Sequence, residues 1–245
     1  MKKIAAGNWK MNGSLASLIE LSELAKRHKE STVDILICPP TIYIQSALSI
    51  AGSIKIGAQD CHMYQSGAYT GDVSASMLAD LGVTAVIVGH SERRIKHSES
   101  STMVLRKALA AQASGIIPII CIGETLSQRE GGQTLDVIED QMNVSLHKDL
   151  TLFPFIIAYE PVWAIGTGHT PSSEQIAEVH TFCRKYLKKK FEKIAANTPL
   201  LYGGSVNGIN ADKIFAIPNV DGALVGKSSL KADDFSQIIV ALEKS

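Results

Sequence analysis

Ile4-Ala5-Ala6-Gly7-Asn8-Trp9-Lys10 is the stretch on which the fold turns. A short apolar run ends in asparagine, tryptophan and lysine. A doubly wound nucleotide-binding sheet would instead carry a G-x-G-x-x-G turn after its first strand. Seven further runs follow: Val33 to Ile37, Ile54 to Ala58, Ala85 to Val88, Ile116 to Ile122, Phe155 to Ala158, Leu200 to Tyr202, and Ala223 to Val225. Several lack polar alternation, as do strands buried on both faces.

Helical periodicity fills the intervals. Leu18, Leu21 and Ala25 share one face, as do Ile176, Val179, Cys183 and Tyr186, and again Phe235, Ile238, Ile239 and Leu242. Lys188 to Lys190 sit where a helix C-terminus favours cations, and read as solvated surface. Ser172 and Gln175 have the spacing of a capping box. Strand and helix alternate eight times, at roughly 31 residues per unit, which predicts an α/β chain closed into a single-domain (β/α)8 barrel over residues 1–245.

The 245 residues carry 24 basic and 24 acidic side chains, so no broad basic surface is available for nucleic acid or a membrane surface. No apolar run of 18 residues exists, and Trp9 to Gly13 breaks any signal-peptide core. The expected location is the cytoplasm. Cys38, Cys61, Cys121 and Cys183 lie far apart, with no C-x-x-C pair, and are expected to be mostly buried free thiols. No metal or cofactor is called for.

Barrel enzymes place their chemistry at the C-terminal ends of the strands. The polar residues following the runs are Asn8 and Lys10, then Gly89-His90-Ser91-Glu92, Tyr159-Glu160-Pro161, Gly203-Gly204-Ser205, and Gly226-Lys227-Ser228. Each is weak alone: a histidine at a strand end is commonly structural, and glycines turn chains. Five of eight strand ends together are not an accident of turns. The two glycine-rich loops after strands 7 and 8 fit a phosphate site, with Ser205 as an added donor. Glu160, His90 and Lys10 fit proton transfer beside a carbonyl, as base, as polarising and proton-moving group, and as oxyanion partner. A Schiff-base role for Lys10 stays open. Pro161-Val162-Trp163-Ala164-Ile165-Gly166-Thr167-Gly168 is apolar in its middle and bounded by proline and glycines. It reads as a lid that excludes water.

Gly7 to Asn12, Gly67 to Gly71, Val88 to Arg94, Cys121 to Glu124, Ala158 to Gly168 and Tyr202 to Val206 resemble the motifs of the triosephosphate isomerase family, and the likeness runs the whole chain. The resemblance implies interconversion of dihydroxyacetone phosphate and D-glyceraldehyde 3-phosphate through an enediolate, a step of glycolysis and gluconeogenesis. It implies Glu160 as base and His90 as a neutral electrophile with its pKa lowered by a helix N-terminus. Lys10 would hold the oxyanion and phosphate, with Asn8 beside it and Glu92 positioning it. Backbone N–H groups of Gly166, Ser205, Gly226 and Lys227 would take the phosphate. It further implies a homodimer in which Thr70 reaches the partner's site near Asn8 and Glu92. A catalytically silent phosphate-binding scaffold, and another sugar-phosphate barrel enzyme, are the alternatives.

Three positions depart from the family pattern. Lys227 stands where many members have glycine. Pro171 lacks the N–H expected to meet Tyr202, leaving a Ser205–Gly168 contact as the remaining lid latch. Asp60 replaces an asparagine near the interface.

Overall fold

The computed structural model describes residues 3–165 and 170–245; of the expected site, Gly166, Thr167 and Gly168 lie outside the described residues. Eight parallel strands close on themselves in chain order. They are β1 (Ile4–Asn8), β2 (Asp34–Cys38), β3 (Lys55–Ala58), β4 (Ala85–Val88), β5 (Ile117–Ile122), β6 (Ile156–Tyr159), β7 (Leu200–Tyr202) and β8 (Gly222–Val225). Closure is made by β8 on β1, where Ile4 pairs with Gly222 and Gly7 with Val225. Helices follow the strands, so each crossover returns the chain to the same end of the barrel.

Alternation along the strands divides the core in two. Ile4, Ala6, Leu36, Cys38, Ala85, Ile87, Ile119, Cys121, Ile156, Ala158, Leu201 and Leu224 point inward and form one cluster, so the barrel is packed rather than hollow. Their neighbours, such as Ala5, Ile35, Ile37, Val86, Val88 and Ile120, pack against the helices in a larger outer cluster. Both faces are therefore dry, which is why the strand sequences carry no polar beat.

The helical periodicity is realised. Leu18 and Leu21 are buried on the helix Leu18–Arg27, and Ile176, Val179, Cys183 and Tyr186 on the helix Ser173–Lys190. That second helix starts at a capping box: Ser172 Oγ accepts the Gln175 N–H at 3.3 Å, and Gln175 Oε1 accepts the Ser172 N–H at 2.9 Å. The pair satisfies two main-chain donors that a helix start leaves open. All four cysteines are buried and unpaired. Burial pushes the thiols of Cys38, Cys61 and Cys183 up to about 12, so they are packing groups rather than nucleophiles.

Candidate active site

Asn8 is the last residue of β1, His90 lies two residues beyond β4, and Glu160 directly follows β6. Parallel strands in one barrel bring these ends to one mouth. A cavity of about 450 Å³ opens there, lined among others by Asn8, Lys10, His90, Ser205, Gly226 and Lys227. Residues at the ends of β1, β4, β7 and β8 thus line one cavity.

Glu160 is 2% exposed and is not in the cavity wall. Its Oε2 accepts the main-chain N–H of Ser91 at 2.8 Å. Its Oε1 lies 2.8 Å from His90 Nε2. The placement depends on Gly123, where a Cβ would sit 1.7 Å from the Glu160 carbonyl oxygen. Gln141 holds Gly123 in turn, accepting its N–H at 2.8 Å and donating to its carbonyl at 2.9 Å.

His90 caps the helix Ser91–Lys96, and Nδ1 accepts the Glu92 N–H at 3.2 Å. That bond needs the Nδ1 lone pair and assigns the proton to Nε2, which donates to Glu160. Here the expectation of a lowered His90 pKa needs correction. Burial does push it down, but the Glu160 carboxylate against Nε2 overrides burial and raises it. The raising belongs to this paired arrangement. Without the carboxylate, burial and the N–H at Nδ1 both favour the neutral ring.

Lys10 Nζ donates to Glu92 Oε1 at 2.7 Å. Burial of Glu92 works against its charge, but this bond and the lysine's charge prevail and hold its carboxyl below the ordinary range. Lys10 itself has a left-handed backbone, with φ of +53°.

Of the lid, residues Pro161 to Ile165 are described. Val162–Ala164 form a single 3-10 turn, Ala164 is fully buried, and Ile165 lines the cavity. Trp163 Nε1 donates to Glu124 Oε1 at 2.9 Å, and that oxygen also accepts from Tyr159 Oη and Arg129 Nε, both at 3.1 Å. Glu124 thus anchors the start of the lid, a role the sequence reading did not assign although Glu124 lies only two residues beyond β5.

The three departures differ in their consequences. Lys227 opens a 3-10 turn without a left-handed backbone, so its Cβ meets no conformational objection. Pro171 is buried, and the buried Tyr202 hydroxyl has no hydrogen-bond partner among the described residues. Asp60 joins a charge cluster: Lys107 Nζ donates to both its oxygens at 2.8 Å, and Arg93 approaches Oδ2 at 2.8 Å. The same two cations also meet Glu99 Oε1. Burial raises the Asp60 pKa despite Lys107.

Thr70 lies in an exposed loop, where Tyr69 packs on His62 at 4.1 Å and on Tyr64 at 5.5 Å between ring centres.

A closed (β/α)8 barrel that gathers a carboxylate, an imidazole and an ammonium group beside two glycine-rich loops has the construction of a barrel enzyme working on a small anionic substrate. The family model described as Triosephosphate isomerase matches residues 3–242. A triosephosphate isomerase of Ruegeria sp. (strain TM1040) is 54% identical over 244 residues, covering 100% of this chain and 99% of that protein. The one from Rhizobium meliloti (strain 1021) is 47% identical, covering 100% and 97%. The crystal structure of triosephosphate isomerase from Bartonella henselae superposes with a TM-score of 0.92 at 41% identity, covering 100% of both chains. The chain belongs to the triosephosphate isomerase family.

Proposed function

We propose that the chain interconverts dihydroxyacetone phosphate and D-glyceraldehyde 3-phosphate, a step shared by glycolysis and gluconeogenesis, through an enediolate. The observation that carries this reading is the 2.8 Å contact of buried Glu160 with His90, which lines the cavity mouth together with Lys10 and Asn8. Glu160 leaves the Ser91 N–H, turns into the cavity, and removes a proton from the hydroxyl-bearing carbon. The C–H pair becomes the enediol double bond, and the carbonyl pair moves onto oxygen. Lys10 and Asn8 meet the resulting negative charge, with Glu92 positioning the lysine. His90, relieved of the adjacent carboxylate and therefore neutral, donates from Nε2 and moves the proton between the two oxygens. Protonated Glu160 then returns its proton to the neighbouring carbon.

Lys10 and the N–H groups of Gly166, Ser205, Gly226 and Lys227 take the phosphate. Pro161 to Gly168 close over the intermediate as a lid, which also suppresses loss of phosphate. Residues 1–245 serve as one catalytic domain.

The working form is a homodimer in the cytoplasm. Met11, Ile42 and Ile95 are 96%, 79% and 63% exposed, a costly arrangement in a lone chain. Met11 lines a hollow of about 420 Å³ that also takes in Lys10 and Glu92, and in the proposed dimer Thr70 of the partner subunit would fill it. Four unpaired thiols suit a reducing compartment. No helix among the described residues is long and apolar enough to cross a membrane.

Purified protein given glyceraldehyde 3-phosphate, with a coupled reporter for dihydroxyacetone phosphate, should show turnover. Glu160→Gln should reduce it by about 10³-fold. Absence of wild-type turnover refutes the reading. Sedimentation equilibrium should give twice the chain mass; a monomer that is fully active overturns the dimer.

A further inference from the structure

An L-residue in the left-handed region costs about 1–2 kcal/mol and stays there only where its surroundings over-determine it. Lys10 is such a residue, and its surroundings are specific. Its N–H donates to Asn8 Oδ1 at 3.0 Å. Its carbonyl accepts from Gln59 Nε2 at 2.8 Å. The second hydrogen on that nitrogen goes to the carbonyl of Cys38 at 2.9 Å, where β2 ends. The Cys38 carbonyl also accepts the Trp9 N–H at 3.1 Å. One carboxamide nitrogen therefore joins the end of β2 to the peptide of Lys10, from a residue that itself directly follows β3.

We propose that Gln59 is a positioning residue for the reaction, locking the Lys10 peptide in its left-handed turn so that the ammonium group faces the phosphate and the developing oxyanion. The inference rests on the role given to Lys10 above. Glu92 fixes the far end of the lysine side chain, and Gln59 fixes its root. A lysine has four rotatable bonds, so both ends need holding. The residue type follows from the geometry. Two carbonyls on different segments need two divergent N–H donors on one planar group. Glutamate has the same shape but only acceptors, and would set its charge against both carbonyls. Methionine fills similar volume with no donor. Because Gln59 directly follows β3, the barrel scaffold holds the lysine loop from outside, which preorganises it before substrate arrives.

The test is a double-mutant cycle. Gln59→Glu and Gln59→Met are each made in the wild type and in Lys10→Ala. Each protein is assayed for kcat/KM with glyceraldehyde 3-phosphate, at high enzyme concentration where turnover is slow. Inhibition by inorganic phosphate and the thermal midpoint are recorded alongside. With Lys10 present, both substitutions should lower kcat/KM by about tenfold or more and weaken phosphate inhibition about tenfold. With Lys10→Ala, the same substitutions should cost less than about twofold. Equal losses in the two backgrounds assign Gln59 to the fold and overturn the proposal, as does unchanged kcat/KM in the wild-type background. Should Gln59→Glu fail to fold, Gln59→Met carries the same comparison. The reading of Lys10 is judged separately: a fully active Lys10→Ala refutes that role whatever Gln59 does.

Discussion

Among the described residues, three other than glycine hold a left-handed backbone: Lys10, Ser98 and Asn219, with φ of +53°, +56° and +66°. They share a strain but not a reason for it. Lys10 has the Asn8 and Gln59 bonds to hold it, and its ammonium group sits at the cavity mouth. Asn219 is a residue type that tolerates this region, and its carbonyl pairs with His180 Nδ1 at 2.9 Å. Ser98 is exposed and its side chain supplies nothing to the site. Relief of its strain is therefore available without chemical loss. Ser98→Gly removes about 1–2 kcal/mol of strain and adds back about 0.5–1 kcal/mol of unfolded-chain entropy. A net gain of about 0.5 kcal/mol is expected, seen as a higher urea midpoint with kcat/KM unchanged. A lower midpoint would mean that the hydroxyl makes a contact of its own.

The elements were more legible than the contacts between them. All eight strands coincide with apolar runs to within a residue or two, because burial on both faces disfavours polar residues and leaves the strands rich in Ile, Val, Leu, Ala and Cys. The edges shift where other constraints enter: β8 begins at Gly222, one residue before the apolar run, because a Cβ there would lie 1.9 Å from the Ile4 carbonyl. At the rim, Asn8, Lys10, His90 and Glu160 were readable as polar residues following strands. Gln59 and Glu124 obey that same rule at β3 and β5, so their signal was present, but a neutral amide beside Asp60 and a carboxylate beside Thr125 name no chemistry by themselves. What no residue name could carry was the Ser91 N–H that holds Glu160 aside, since every residue but proline has one. The raised pKa of His90 was likewise out of reach, because it comes from where Glu160 rests and not from the helix that His90 caps.

At the scale of the whole molecule, neutrality by composition conceals charges that folding places unequally. His180 shows the consequence for stability. It is 1% exposed, packed among Tyr159 and Tyr202, near the Arg184 charge, with Nδ1 on the Asn219 carbonyl. Burial, with a smaller contribution from Arg184, pushes its pKa down to about 4 from 6.5. Between those values the unfolded chain binds a proton that the folded chain refuses, so stability rises with pH across that window and falls as the solution is acidified. Below about 4 both states are protonated and the loss levels off. His28, also lowered by burial, acts in the same direction. His90 acts in the opposite one, because its folded pKa is raised and the stability it adds is lost as pH rises. The wild-type curve therefore mixes all three, and a variant is needed to separate them. His180→Asn removes the titration while keeping a side chain able to donate to Asn219. Urea denaturation at fixed protein concentration, repeated from pH 7 down to pH 4.5, should show the wild type losing about 2–3 kcal/mol more than the variant over that range. Parallel curves would mean that His180 takes up its proton without unfolding, and would assign the acid sensitivity to other groups.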